Sequence, residues 1–116
     1  MRIQVKARSG VTIDDELRSR VEKKLGKVAR QVSVLAELEI ELSEERNPAI
    51  RESQVAEATL HLKGATLRSC KRSTDMGHSI NMAADDLARQ VKKHRDKRRK
   101  RQTTRKLMQR LRGTPA

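Results

Sequence analysis

The sequence predicts an α+β domain with the element order β-α-β-β-β-α, in which a four-stranded mixed sheet carries two helices packed on one face. Four segments alternate apolar and polar residues with a period of two, and two segments repeat apolar residues every three or four positions. The length of 116 residues suits one domain and not two. Because the chain has no Phe, Tyr or Trp, its core has to be built from aliphatic side chains.

The first two predicted elements are a strand over residues 2–8 and a helix that begins after the break at Gly10. Thr12 is the predicted N-cap of this helix, with Asp15 in the capping-box position three residues later. The apolar residues of the helix fall within about 80° of arc, which predicts one buried stripe. This stripe consists of Leu17, Val21, Leu25, Val28 and Val32.

Three further strands are predicted over residues 35–42, 54–62 and 65–71. A polar loop separates the first two, and the two-residue turn Lys63-Gly64 joins the last two into a hairpin. The first β-α-β unit implies a parallel strand pair with a right-handed crossover, so the sheet is mixed. The predicted inner faces consist of Ala36, Leu38, Ile40 and Leu42 in one strand and Ala56, Ala58, Leu60 and Leu62 in the next.

The last predicted element is a helix capped by Thr74 or Asp75, with an apolar stripe that runs from Met76 to Val91. Beyond Val91 the stripe ends, yet no helix-breaking residue follows before Gly113. The helix therefore either continues past residue 100 as a solvated projection or frays.

The net charge of +13 is concentrated at the C-terminal end of the chain. Residues 1–88 hold 15 Lys and Arg against 14 Asp and Glu, whereas residues 89–116 hold 13 against Asp96 alone. We therefore predict a folded domain over 1–101, followed at 102–116 by a basic C-terminal tail or the start of a linker. This asymmetry indicates a polyanionic partner, with nucleic acid first and an anionic membrane surface second.

Motifs for catalysis and metal binding are missing from the sequence. It has no Gly-rich phosphate loop, and His61, His78 and His94 stand at no metal-ligand spacing. The single Cys70 cannot form an internal disulfide, and we interpret it as a structural thiol. We expect a protein that is not an enzyme and has no cofactor and no metal site. Because no segment reads as a membrane span or a signal peptide, we expect a cytoplasmic protein.

Basic residues are grouped along both helices. Those of the first helix share one flank beside the apolar stripe, and this segregation of charge favours polyanion binding over a merely solvated flank. They are Arg20, Lys23, Lys24, Lys27 and Arg30. Residues 89–101 contain nine Lys and Arg, a density that destabilises an isolated helix unless a polyanion neutralises it. If the helices pack side by side, their basic flanks form one surface.

The mode of binding follows from what the predicted sheet lacks. Single-strand binders stack bases on aromatic residues, and this chain has none. The open face of the sheet presents Glu37, Glu39 and Glu41, flanked by Lys6 and Arg68, and these glutamates repel a phosphate backbone. RNA is therefore expected to meet the helices, through phosphates and shape and not through base sequence.

Four motifs resemble the ribosome hibernation factors, that is, the hibernation-promoting factor and ribosome-associated inhibitor proteins. They are IDDELRSRVEKKLGKV at 13–28, AEATLHLKGATLRS at 56–69, Asp75-Met76 with Ile80, and LARQVKKHRDKRR at 87–99. The resemblance covers about residues 1–101. Family members usually carry Tyr or another bulky residue after the Asp-Met pair, where this chain has Gly77 and His78. Long members add a C-terminal dimerisation domain that 102–116 does not match, so the chain is either a short form or the N-terminal domain of a long one.

The resemblance implies the same fold and binding in the mRNA and tRNA channel of the small ribosomal subunit, near the decoding centre. There the factor blocks mRNA and tRNA and inhibits translation under stress or in stationary phase. The implied partners are the small subunit and its rRNA, without a small-molecule substrate or a membrane, and the chain is expected to be monomeric. The basic residues that match the family pattern are Lys23, Lys24, Lys27, Arg89, Lys92, Lys93, Arg95, Lys97 and Arg98; helical projection adds Arg20 and Arg30.

Two other functions fit parts of the pattern. A generic double-stranded RNA-binding domain shares much of the element order, but it has a Gly-rich and Lys-rich loop before its last helix, where this chain has KRSTDMGHS. A regulatory adaptor or membrane-surface protein would explain the charge, but the basic helix beyond residue 92 lacks Trp and Phe as interfacial anchors.

Overall fold

A computed structural model describes residues 1–8 and 10–113, and the side chains of these residues except 101–103 and 109–113. Six elements follow one another in the predicted order. They are β1 (Arg2–Ala7), α1 (Asp15–Ala29), β2 (Glu37–Glu44), β3 (Gln54–Leu62), β4 (Ala65–Ser73) and α2 (Met76–Gly113). The predicted fold class, β-α-β-β-β-α with a four-stranded mixed sheet, is confirmed.

The four strands form one sheet in the order β1-β2-β3-β4. β1 pairs with β2 in parallel, with Val5 opposite Ile40, and the other two pairs are antiparallel. The β3–β4 hairpin turns at Lys63-Gly64, where Gly64 has a φ of 79° that L side chains rarely adopt. Because side chains alternate across a strand, this register brings most apolar residues of the strands to the same face, while Val55 lies on the other.

The core lies between that face of the sheet and the two helices. Every large side chain in it is aliphatic, as the absence of aromatic residues requires. From α1 it receives Val21, Leu25 and Val28, from the sheet Leu38, Ile40, Leu42, Ala56, Ala58 and Leu60, and from α2 Ile80, Ala83, Ala84, Leu87 and Val91. The predicted inner faces are thus confirmed, with Leu62 half-buried at the edge.

The N-cap prediction for α1 was wrong. Asp14, not Thr12, caps the helix: its backbone is extended, and its Oδ1 accepts a hydrogen bond from the Leu17 amide at 2.7 Å. Asp15 is the first helical residue and not the third. At the other end α1 stops at Ala29, so Val32 packs against the core from the following loop.

Strand boundaries also differ from the prediction by one or two residues. β2 begins at Glu37 and not at residue 35, because its partner β1 begins at Arg2, opposite Glu37. Leu35 is therefore left outside the sheet and is 86% exposed. β1 ends at Ala7 instead of residue 8, while β4 continues to Ser73.

α2 begins at a cap formed by Asp75, whose Oδ2 accepts a hydrogen bond from the His78 amide at 3.0 Å. Its first turns are fastened to the sheet by Ser79, which is fully buried and donates to the Gln54 carbonyl at 2.7 Å. Further along, the Gln90 side-chain amide donates to the Arg68 carbonyl of β4 at 2.8 Å. These bonds fix the direction in which the helix leaves the sheet.

The helix then continues well past the core. It has 38 residues and is unbroken to Gly113, which at a rise of about 1.5 Å per residue makes it roughly 57 Å long. Val91 is its last buried residue among those described, and the whole structure measures 72 × 29 × 17 Å. The sequence left open whether the helix continues past residue 100 or frays, and the structure shows that it continues.

Candidate nucleic-acid interface

The two helices lie side by side and run in the same direction. Arg20 of α1 approaches Gly77 of α2, and Lys27 of α1 forms an ion pair with Asp85 of α2. Residue numbers therefore increase in the same direction along both helices. This parallel arrangement follows from the topology, because β1 and β4 have the same direction and each helix runs antiparallel to its strand. The basic flank of α1 is therefore brought against α2, as the sequence predicts if the helices pack together.

The five predicted cations of α1 differ in accessibility. Arg20, Lys23 and Arg30 are exposed, whereas Lys24 and Lys27 are half-buried in the seam between the helices. All five lie on the side of α1 away from its buried stripe or at the edge of it. Of the five, Arg20, Lys24 and Lys27 lie along the seam, and Arg30 is the residue that caps the C-terminal end of α1.

Two carboxylates reduce this charge. Glu16 lies one turn before Arg20, with 3.8 Å between Oε1 and Nη2, and Asp85 pairs with Lys27 across the seam. Neither pairing was predicted from the sequence. The position of Glu16 four residues before Arg20 was a usable signal, but the pairing of Lys27 with a residue 58 positions away was not.

The side chain of Arg20 lies over Gly77 at the N-terminal ends of the helices. A Cβ atom at this position would lie 2.9 Å from Nη1 of Arg20 and 3.2 Å from Oδ2 of Asp75. The guanidinium group thus occupies space that any other residue would fill. Because Arg20 is long and flexible, a larger residue at position 77 would require its guanidinium group to move from its place beside Lys24, His78 and Asn81.

The predicted cations of α2 surround the helix instead of sharing one face, because successive residues differ by about 100° around the axis. By this projection Lys92 and Arg95 lie toward α1, Arg89 and Lys93 toward solvent, Lys97 on the side of β4, and Arg98 in line with the buried stripe. All of these are exposed except Arg95, which is half-buried. The distal part of α2 can therefore contact a polyanion on several sides at once.

One carboxylate on α2 is held in its charged form. The neighbouring Ser69 hydroxyl is the largest influence on the pKa of Asp86 and lowers it. Partial burial opposes this shift, while Lys71, Gln90 and Arg89 add to it. Asp86 lies 3.7 Å from Arg89 and so reduces the charge at the point where α2 begins to leave the sheet. The excess of basic over acidic residues on α2 therefore lies mainly beyond Asp86.

The opposite face of the sheet has a different character. As predicted, Glu37, Glu39 and Glu41 lie on it, and Arg8 contacts Glu41 at 2.9 Å. Cys70 is a free, exposed thiol on the same face. Because acidic residues occupy the centre of this face, RNA phosphates are better accommodated on the helices.

Within residues 1–8 and 10–113, no group of three or more His, Cys, Asp or Glu is arranged to hold a metal ion. None of the helices in the described part of the chain has the length and apolar character needed to cross a membrane.

Residues 3–99 match the family described as Sigma 54 modulation protein / S30EA ribosomal protein. The chain belongs to this family. The match includes both helical basic flanks and ends within α2, so the part of the helix beyond residue 99 lies outside it. The resemblance to the ribosome hibernation factors seen in the sequence is thereby confirmed.

The chain is similar to two curated hibernation factors. It is 32% identical over 90 residues to the ribosome hibernation promoting factor of Azotobacter vinelandii. The aligned region covers 78% of this chain and 79% of that protein. It is 27% identical over 90 residues to the ribosome hibernation promotion factor of a Picosynechococcus species, which covers 77% of this chain. The chain spans only about half of the latter, 47% of its length.

Solved structures share the fold. The N-terminal domain of Protein Y from Thermus thermophilus matches with a TM-score of 0.68 and 28% identity, over 81% of this chain and 99% of that one. A ribosomal subunit interface protein from Coxiella burnetii also has a TM-score of 0.68, over 83% of this chain and 99% of that one. At 24% identity the second likeness concerns the fold alone.

Proposed function

We propose that this protein is a cytoplasmic ribosome hibernation factor that binds the small ribosomal subunit in the mRNA and tRNA channel near the decoding centre. There it inhibits translation under stress or in stationary phase, without enzymatic activity. The observation that carries the proposal is the pair of parallel basic helices, one of which projects beyond the core, in a chain that belongs to this family. The named relatives are hibernation factors, which favours this function over a generic double-stranded RNA-binding domain.

The proposed interface follows the seam and the projecting part of α2. Its members are the eleven cations predicted from the sequence: Arg20, Lys23, Lys24, Lys27, Arg30, Arg89, Lys92, Lys93, Arg95, Lys97 and Arg98. Lys and Arg neutralise phosphates and release condensed counterions, which drives binding without base-specific contacts. A helix with cations on several sides fits a channel whose walls are RNA better than it fits a flat surface.

The test is competition for the small subunit. Purified bacterial small subunits are incubated with the full chain, and the binding of labelled initiator tRNA and of mRNA is measured by filter retention. We expect the chain to co-sediment with small subunits and to displace the tRNA as its concentration rises. Undiminished tRNA binding at a saturating concentration of the chain would contradict the proposed location.

A matched pair of variants separates the interface from total charge. The double variant Lys92→Ala and Lys93→Ala removes two exposed cations of α2 and is expected to compete poorly. The double variant Arg46→Ala and Arg51→Ala removes the same charge from the β2–β3 loop and is expected to compete like the wild-type chain.

A further inference from the structure

A cleft lies where the C-terminal end of α1, the β3–β4 turn and α2 meet, and we name it the turn cleft. It has a volume of about 190 Å³. Its lining consists of Gln31, Val32 and Ser33 after α1, Leu62 and Lys63 at the turn, and Val91, His94, Arg95 and Arg98 on α2. Three elements that are far apart in the sequence thus build one concave site.

The turn cleft is apolar inside and basic at its edge. Val32 and Leu62 are half-buried and Val91 is almost fully buried, so aliphatic side chains form its floor. Lys63 and Arg98 are exposed beside this floor. An apolar floor between cations fits a ligand that combines a flat apolar body with negative charge.

Arg95 provides a second, independent observation. This side chain lines the turn cleft, and its Nε atom is buried without a hydrogen-bond partner among the described residues. A buried N–H donor without an acceptor destabilises the free protein, and a ligand that brings an acceptor removes this penalty. A ligand that complements the turn cleft would therefore carry a hydrogen-bond acceptor.

We propose that the turn cleft binds one unstacked base of RNA, with the base on the aliphatic floor and an acceptor of the base facing Arg95. The inference rests on the proposed function and adds a specific contact to it. Aromatic side chains, on which unpaired bases commonly stack, are absent from this chain, so the aliphatic floor takes their place and Arg95 supplies the polar contact. Lys63 and Arg98 are placed to contact the phosphates on either side.

The size of the turn cleft supports a single base. Sites for drug-sized ligands usually have about 300–1,000 Å³, so a cleft of about 190 Å³ suits the base and leaves sugar and phosphate outside. The competing occupant is an apolar side chain of a protein partner. Val34 and Leu35, which follow the cleft residue Ser33 in the sequence, are exposed apolar residues that such a partner could also contact. The cations at the edge and the unpaired Nε favour the base.

The test compares two labelled RNA hairpins of equal length, one fully paired and one with a single unpaired adenosine. Fluorescence anisotropy with the full wild-type chain is expected to show a preference for the bulged hairpin on the order of tenfold, the lower end of what a hydrogen bond to a charged group contributes. Equal affinity for the two hairpins would overturn the proposal.

Three variants locate the preference. Arg95→Lys keeps the charge but removes Nε and the guanidinium plane, and Ser33→Leu fills the cleft from an exposed position. Both are expected to reduce the preference to about twofold or less. Ser33→Leu, which lies outside the proposed interface, is also expected to leave the affinity for the paired hairpin unchanged. Lys97→Ala is the control, because Lys97 lies on another side of α2. This variant is expected to lower the affinity for both hairpins by the same factor. Thermal unfolding followed by circular dichroism shows that the variants are folded.

The outcomes separate the two proposals. If Arg95→Lys weakens both hairpins equally, or if Ser33→Leu keeps the preference, the turn cleft does not bind the base. If Ser33→Leu weakens small-subunit binding although the wild-type chain has no preference between hairpins, the occupant is a protein side chain. If the chain prefers the bulged hairpin but does not displace tRNA from small subunits, the result would support the base site in the turn cleft and contradict the location in the decoding channel.

Discussion

The double replacement Lys92→Ala and Lys93→Ala tests how binding depends on charge. Both lysines are exposed on the part of α2 that projects from the core, and neither has an ion-pair partner among the contacts described. Their removal therefore leaves the core and the sheet unchanged. Any effect on RNA affinity then reports phosphate contacts and not folding.

The expected magnitude follows from the accessible cations. Eight of the eleven proposed interface residues are exposed, since Lys24, Lys27 and Arg95 are half-buried. If about six of them contact phosphates, the logarithm of the association constant should fall with the logarithm of the salt concentration with a slope of roughly −4 to −5. Affinity would then drop about 10³-fold between 50 and 200 mM salt, and the double variant should flatten the slope by roughly 1.4 to 1.8.

The assay is the association constant of the full chain for small ribosomal subunits, measured at four or more salt concentrations. The variant Arg46→Ala and Arg51→Ala is the control, because it removes two exposed cations outside the proposed interface. Its slope should equal that of the wild-type chain. An unchanged slope for Lys92→Ala and Lys93→Ala, or an equal change in the control, would refute the assignment of the interface to α2.

Three more changes have defined outcomes. Asp85→Asn frees Lys27 at the seam and should raise RNA affinity several-fold while changing the free energy of unfolding by less than about 1 kcal/mol; unchanged affinity would place Lys27 outside the interface. Leu60→Ala opens a cavity in an aliphatic core and should lower the free energy of unfolding in urea by about 2–5 kcal/mol, whereas a loss below 1 kcal/mol would contradict its full burial. Asp86 has a lowered pKa in the folded chain, so the stability it contributes is present above its ordinary pKa of 3.8 and is lost as the pH falls through the lowered value. The stability difference between the wild-type chain and Asp86→Asn should therefore shrink on acidification below pH 3.8, and a difference that is constant with pH would contradict the shift.

Much of the fold could be predicted because secondary structure has a period. Alternation in β3 predicted both of its ends, since turn residues stand on either side of it. The boundary of β2 could not be predicted in this way, because the strand starts where β1 offers a partner, at Glu37. The cap of α1 was missed because Thr12 and Asp14 are both good cap residues, and only the backbone path of the loop selects Asp14.

The sequence by itself determined the order of the elements, the aliphatic core and the concentration of positive charge at one end, since each follows from residue type and spacing along the chain. Only the tertiary structure decided which of those charges are available. Packing of the helices pairs Lys27 with Asp85 and leaves Arg95 half-buried, with an Nε that has no hydrogen-bond partner among the described residues. It also places Lys63 of the hairpin turn beside α2. These contacts join residues far apart in the sequence, and they depend on how the helices pack on the sheet, which local periodicity does not specify.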